Sequence, residues 1–264
     1  MSAPVPTVSP ELKTLMRRLR LGRLLDTLPE RLALARQHDL THLEFLEQLF
    51  SDEVTRRDSE SAGVRARAAH LDPTMVLEAW DDTAEVTYDR AVWAELVSLR
   101  FVEQAHNALV LGPVGVGKTF LATALGHIAC RRRVTVHFER ADRLLKRLKA
   151  ARLDASYEAE MRKLIAVELL LIDDFALHPL DATETADVYG LVIERHHRAA
   201  TVLTSNRDPS EWLAMMADPL LAQSAVDRLK SAAWELVIEG ESYRQREKPT
   251  LGKPPAPTRR RRSG

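Results

Sequence analysis

Ala108-Leu109-Val110-Leu111-Gly112-Pro113-Val114-Gly115-Val116-Gly117-Lys118-Thr119 is the stretch that decides the architecture expected of this chain. Four apolar residues run as a buried strand would, and the pattern G-x-x-x-x-G-K-[ST] follows in full. Behind it, Leu121, Ala122, Leu125 and Ile128 recur at helical steps. A glycine-rich loop between strand and helix is the context this motif needs. Glycines let backbone amides turn toward phosphate oxygens with no Cβ in the way. The helix N-terminus adds a partial positive charge. Lys118 supplies a point charge for the β- and γ-phosphates, and Thr119 a hydroxyl for Mg²⁺. Gly112, Pro113, Val114, Gly115, Val116, Gly117, Lys118 and Thr119 are therefore expected to cradle ATP with Mg²⁺, and the chain is expected to hydrolyse it.

Two further strand ends point to the same place. Leu169-Leu170-Leu171-Ile172-Asp173-Asp174 is an apolar run closing in two carboxylates. In a parallel sheet it would end at the carboxyl edge, where ligands bind. Asp173 is expected to hold Mg²⁺, directly or through water, and Asp174 to orient or deprotonate the attacking water. Thr201-Val202-Leu203-Thr204-Ser205-Asn206 ends in polar residues, and Asn206 could reach the γ-phosphate or the lytic water. Arg228, in Ala225-Val226-Asp227-Arg228-Leu229, reads on pattern alone as an exposed arginine with Asp227 as its local partner.

Working outward, apolar strands are expected at 108–111, 134–138, 168–172, 201–204 and 235–238. Helices fill the gaps at 118–131, 140–151, 156–167, 183–198 and 219–233. This alternation predicts a mostly parallel five-stranded sheet covered on both faces. Upstream, residues 11–69 read as a small all-helical domain. Leu12, Leu15, Met16 and Leu19 share one helical face, Pro29 suggests a break, and Thr41 with Glu44 forms a capping box before Leu43, Leu46, Leu49 and Phe50. Residues 70–88 read as a linker and 89–104 as one more helix ahead of the ATPase domain, 89–247. Residues 1–10, with three prolines, and the basic tail 248–264, ending in Arg259–Arg262, are expected to be disordered.

Composition sets outer bounds. The 264 residues suffice for one substantial α/β domain and a smaller appendage. Lys and Arg total 38 and Asp and Glu 38, so net charge points to no partner and only local clusters could. Such clusters are Arg17-Arg18-Arg20-Arg23, Arg65-Arg67, Arg131-Arg132-Arg133 and Lys146-Arg147-Lys149-Arg152. The single cysteine, Cys130, excludes an internal disulfide and reads as a small buried hydrophobe. No apolar run approaches the roughly 20 residues of a membrane span, and the N-terminus lacks the pattern of a secretory signal, so a cytoplasmic location is expected.

Together these motifs resemble the AAA+ ATPases, and more closely the IstB-like ATP-binding proteins of IS21-type insertion sequences. The resemblance rests on Phe120-Leu121-Ala122-Thr123-Ala124-Leu125-Gly126 after the loop, Leu171-Ile172-Asp173-Asp174-Phe175, Leu203-Thr204-Ser205-Asn206-Arg207 and Trp212. Asp227-Arg228-Leu229 and Gly240-Glu241-Ser242-Tyr243-Arg244 complete it. It covers about residues 10–247. It implies that Asn206 is sensor 1, that Arg228 is an arginine finger reaching a neighbouring subunit's ATP, and that Arg244 senses or packs against nucleotide. It further implies a homo-oligomer with shared sites, double-stranded DNA bound with little sequence preference, and a transposase as partner. The chain departs from the pattern in carrying Asp174 where many AAA+ enzymes have Glu, and Ala176 where glycine is common. It also stops too soon for a C-terminal helical lid. A replicative helicase loader and a nucleotide-gated DNA-binding scaffold with little turnover are the alternative readings.

Overall fold

A computed structural model of the chain describes residues 8–80 and 86–243. Three helices come first: α1 (Pro10–Arg18), α2 (Leu24–Gln37) and α3 (His42–Ala68). Ser9 caps α1 through its side chain, and Thr41 and Glu44 close the expected capping box on α3. The chain breaks before α2, at Arg20 with φ 57°, and Pro29 lies inside α2 rather than ending it. Of the apolar positions predicted to bury one face, Met16 and Leu49 are buried, together with Leu24 and Leu28. Leu12, Leu15, Leu19, Leu43, Leu46 and Phe50 are exposed, because this small cluster covers only one edge of α1 and α3.

The remainder alternates as expected. Strand β1 (Val86–Thr87) and helices α4 (Arg90–Ser98) and α5 (Arg100–Glu103) lead to β2 (Asn107–Leu111), α6 (Lys118–Arg131), β3 (Val136–Arg140) and α7 (Ala141–Ala151). Then come α8 (Tyr157–Ala166), β4 (Leu169–Asp173), α9 (Ala182–Arg195), β5 (Ala200–Ser205) and α10 (Pro209–Met215). α11 (Pro219–Ser231), β6 (Ala233–Val237) and β7 (Glu239–Gly240) complete the order. The single helix expected over 89–104 is divided at Leu99, whose φ is 61°. The strand expected at 134–138 starts two residues later, because Arg133 (φ 66°) and the bond from Val134 N to Ala129 O still belong to the close of α6. That shift puts Arg140 at the strand's carboxyl end.

Five parallel strands run in the order β3-β4-β5-β2-β6. Side chains alternate across them with period two. Ala108, Val110, Leu169, Leu171, Ala200 and Val202 face α6 and its neighbours, while Leu109, Leu111, Leu170, Ile172 and Leu203 face the opposite core. On that second face Arg195 is 2% exposed and donates to the carbonyls of Leu164, Val167 and Ala200 and to Thr201 Oγ1. It satisfies the last carbonyls of α8 and ties them to β5; burial drops its pKa to about 10. Cys130 is buried as expected, and burial pushes its thiol up. Among the described residues no helix is long and apolar enough to cross a membrane.

Candidate functional site

The loop Gly112–Gly117 leaves the carboxyl end of β2, which lies between β5 and the edge strand β6. Gly112 N donates to Ser205 O at 3.3 Å, joining the loop to the end of β5. Gly115 (φ 89°) takes the left-handed conformation that favours glycine. The loop closes on its own lysine: Lys118 Nζ donates to Gly112 O at 2.8 Å and Pro113 O at 2.7 Å. A buried ammonium held by two loop carbonyls, at the start of a 14-residue helix, makes a cationic site suited to a triphosphate.

Both acids lie two strands away, at the end of β4, with Thr204 of β5 between them and the loop. Thr119 Oγ1 donates to Asp173, lying 2.9 and 3.1 Å from its two oxygens. Thr204 Oγ1 donates to Asp173 Oδ1 at 2.5 Å and accepts from Asp174 N at 3.0 Å. One threonine of β5 thereby fixes both acids of β4. Asp173 is 3% exposed. Burial pushes its carboxyl up, the two hydroxyls pull it down, and Asp174 and Arg140 act in opposite directions on top. A hydroxyl and a carboxylate within hydrogen-bond reach, with no nitrogen or sulfur donor between them, are hard oxygens of the kind Mg²⁺ takes, so Thr119 and Asp173 fit that ion. Asp174, half-buried with φ 54°, turns out of the strand direction. Arg140 Nη2 lies 3.5 Å from its Oδ2 and Nε 3.3 Å from Asp142. Arg140 stands opposite Asp173 in the β3–β4 register.

The T-S-N run divides its work. Thr204 holds the acids. Ser205 Oγ donates to Phe175 O and accepts from Trp212 Nε1 at 3.1 Å, and the Phe175 and Trp212 rings meet edge-on at 4.9 Å. Asn206 follows Gly112's partner directly and is exposed at the sheet edge. Arg207 Nε donates to Ala176 O, and Ala176 has φ 54°.

Arg228 lies in the last turn of α11, inside the helix expected there, and its guanidinium turns back to Ser224 O and Oγ. Arg244 lies outside the described residues. Sequence reasoning passed over three side chains at the site: Thr204, Arg140 and Trp80. Trp80 lies 2.7 Å from where a Gly117 Cβ would stand and meets the Phe120 ring at 5.3 Å. An aromatic in the predicted linker was its only signal.

A parallel sheet in this order, with a phosphate-type loop, a paired acid and a polar neighbouring strand end at one edge, defines an AAA+-type nucleotide-binding domain. Solved structures agree on the fold. Residues covering 63% of this chain superpose on 51% of DnaA from Aquifex aeolicus, solved bound to AMPPCP, with a TM-score of 0.50 and 22% identity. The match to DnaI covers 62% of this chain and 90% of that one, at a TM-score of 0.54 and 20% identity. The chain thus spans about half of the DnaA chain it matches. Sequence is more specific. Residues 14–250 match the profile of the IstB-like ATP binding protein family. An ATP-binding protein of an insertion sequence from Mycobacterium tuberculosis is 36% identical over 241 residues, covering 91% of this chain and 96% of the relative. The ATP-binding protein of insertion sequence IS21 from Pseudomonas aeruginosa is 34% identical over 242 residues, covering 92% and 91%. The chain belongs to the IstB-like ATP-binding protein family.

Proposed function

We propose that this protein is an ATPase that serves as a DNA-binding helper of transposition, assembling on double-stranded DNA with ATP bound and activating or targeting a transposase. The observation that carries the reading is the meeting of Lys118, Thr119, Asp173 and Thr204 at one sheet edge, in a chain whose relatives belong to insertion sequences. The backbone of Gly112–Gly117 and Lys118 would hold the triphosphate, and Thr119 with Asp173 would hold Mg²⁺, which neutralises phosphate charge when bound. Asp174 orients the attacking water and accepts its proton, and Asn206 positions that water or the γ-phosphate. Arg228 of one subunit stabilises charge on the next subunit's ATP, and Arg244 packs against nucleotide. Hydrolysis then resets the assembly. The DnaA structure bound to AMPPCP supports a nucleotide in a fold of this kind.

Two variants test it. Lys118→Ala loses ATP binding, and with it DNA-dependent assembly. Asp174→Asn keeps ATP binding and assembly but loses at least about a hundredfold in turnover, the low end of what a positioned general base supplies. Fluorescent-nucleotide titration, sizing on duplex DNA and phosphate release read the three properties. If Asp174→Asn turned over ATP at the wild-type rate, the assignment of the base would fall. If wild type bound ATP yet stayed monomeric and indifferent to DNA, the helper role would fall.

A further inference from the structure

Six residues after β6 lie across the phosphate loop, and they touch it at both ends. Ile238 N donates to Leu111 O at 2.8 Å, and Ile238 O occupies the space a Cβ on Gly112 would need. Further on, Tyr243 N donates to Gly115 O at 2.9 Å. The Ser242 hydroxyl fills the Cβ position of Gly115, with Ser242 Cβ 2.8 Å from it. Gly112 and Gly115 are thus required by a second chain segment as well as by any phosphate. Between these anchors, Glu239 and Gly240 form β7, which pairs with Thr87 and Val86 of β1. Just past β1, the Tyr88 ring meets Trp80 edge-on at 6.5 Å, and Trp80 returns to the loop at Gly117.

We propose that Ile238–Tyr243 is a strap that follows the state of the phosphate loop, with Ser242 and Tyr243 as positioning residues for Gly115, and that it carries nucleotide occupancy to the linker at Val86-Thr87. The proposal rests on the reading of the loop as an ATP site. Its physical basis is competition for one ammonium. Lys118 Nζ spends two hydrogen bonds on Gly112 O and Pro113 O. A triphosphate that takes Nζ as its counter-charge draws it from those carbonyls, and the loop must readjust between Gly112 and Gly117. The strap permits no such movement without moving itself, because it is hydrogen-bonded at Leu111 and Gly115 and packed on the Cα atoms of Gly112 and Gly115. The next link is soft. A two-residue antiparallel ribbon is marginal by itself, so β1–β7 pairing is easily loosened or tightened.

Hydrogen–deuterium exchange of the full chain, with and without a non-hydrolysable ATP analogue and Mg²⁺, tests this. The expected result is protection of the peptides spanning the phosphate loop, together with a severalfold change in exchange in those spanning 86–88 and 239–243. Protection of the loop with no change in the other two would overturn the strap and leave the ATP site standing. No protection of the loop would overturn both. Tyr243→Pro deletes the donor to Gly115 O, while Tyr243→Ala keeps it. The proline variant should bind nucleotide about threefold to tenfold more weakly, the contribution of one hydrogen bond. At saturating nucleotide it should lose the response at 86–88 while the loop is still protected, and the alanine variant should retain both. A proline variant that binds and responds like wild type would overturn the proposal.

Discussion

Ala176 holds a left-handed backbone, φ 54°, with its side chain buried. For a residue with a Cβ that conformation costs roughly 1–2 kcal/mol. The turn is needed because Asp174 must leave the strand while Phe175, its amide bonded to Thr204 O at 2.8 Å, points back toward Trp212. Glycine would relieve the strain but lose about 0.5–1 kcal/mol of backbone entropy on folding. Ala176→Gly is therefore expected to stabilise the fold by about 0.5–1 kcal/mol, seen as a higher urea midpoint with an unchanged slope. A lower midpoint would mean that the buried methyl outweighs the strain. At this scale, legibility in the sequence followed chain locality. Gly112–Thr119 and Asp173-Asp174 could be found because each motif is contiguous and its flanking strand is apolar. Thr204 and Arg140 reach the acids only through sheet order and register, which no local pattern states.

Strand β3 is the sheet edge opposite β6, and its carboxyl half is held by charge rather than by apolar contact. Glu139 accepts from Arg147 of α7 and from His137 Nε2 at 3.1 Å, and Arg147 also bonds Glu160 of α8. Burial alone would raise the Glu139 carboxyl; the bonds from His137 and Arg147 and their charges outweigh it and hold it at about 2, against an ordinary 4.5. A carboxyl depressed in the folded state stabilises fully above its unfolded pKa, and that stability is lost as pH falls from about 4.5 toward 2. With Arg147 partly open to solvent the contribution is of the order of 1–3 kcal/mol. Acid unfolding of Glu139→Gln should be shallower across this window than that of wild type, and the variant should be less stable at pH 7. Parallel acid limbs would remove Glu139 from the account. Elements as such were largely readable, since apolar residues recur at helical steps in α6 and α9 and run continuously in β2 and β4, which are buried on both faces. Those misread are where backbone chemistry overrides pattern: the Leu99 break, the late start of β3, and α10, which is short and starts at Pro209 behind its Asp208 cap.

The two halves of the molecule share one element. α3 packs its first turns on α2 and, through Ala62 and Ala66, its last turns on α6; Arg65 Nε donates to Cys130 O at 2.8 Å, and Phe138 N donates to Ala69 O at 2.9 Å. Ala66, Ala69 and Leu71 belong to the core beneath the sheet. This seam consumes basic residues. Arg131 pairs with Glu78, Arg133 with Asp58, and Arg132 donates to Ser98 O. Elsewhere Arg147, Lys149 and Arg152 pair with Glu139, Asp181 and Asp187. Of the clusters legible in the sequence, three have most of their members paired within the chain, many of them at its surface, a fate that composition cannot reveal. Arg17, Arg18, Arg20 and Arg23 remain exposed, and among the described residues none is in an ion pair. If the chain grips duplex DNA as proposed, these four arginines form a cluster free to displace counterions. Each phosphate that a variant no longer neutralises should reduce the steepness of log K against log salt by about 0.9. Replacing all four by glutamine should thus flatten the salt dependence by up to about 3.6 and weaken binding equally on any duplex sequence, with melting temperature little changed. Replacing Lys149 and Arg152, whose charges are matched within the fold, should flatten it far less. The fluorescence anisotropy of a labelled duplex, titrated from low to high salt, measures both. A quadruple variant with the wild-type slope would move the DNA grip away from α1 and its following turn, and a steep loss in the Lys149 and Arg152 variant would move it to α7.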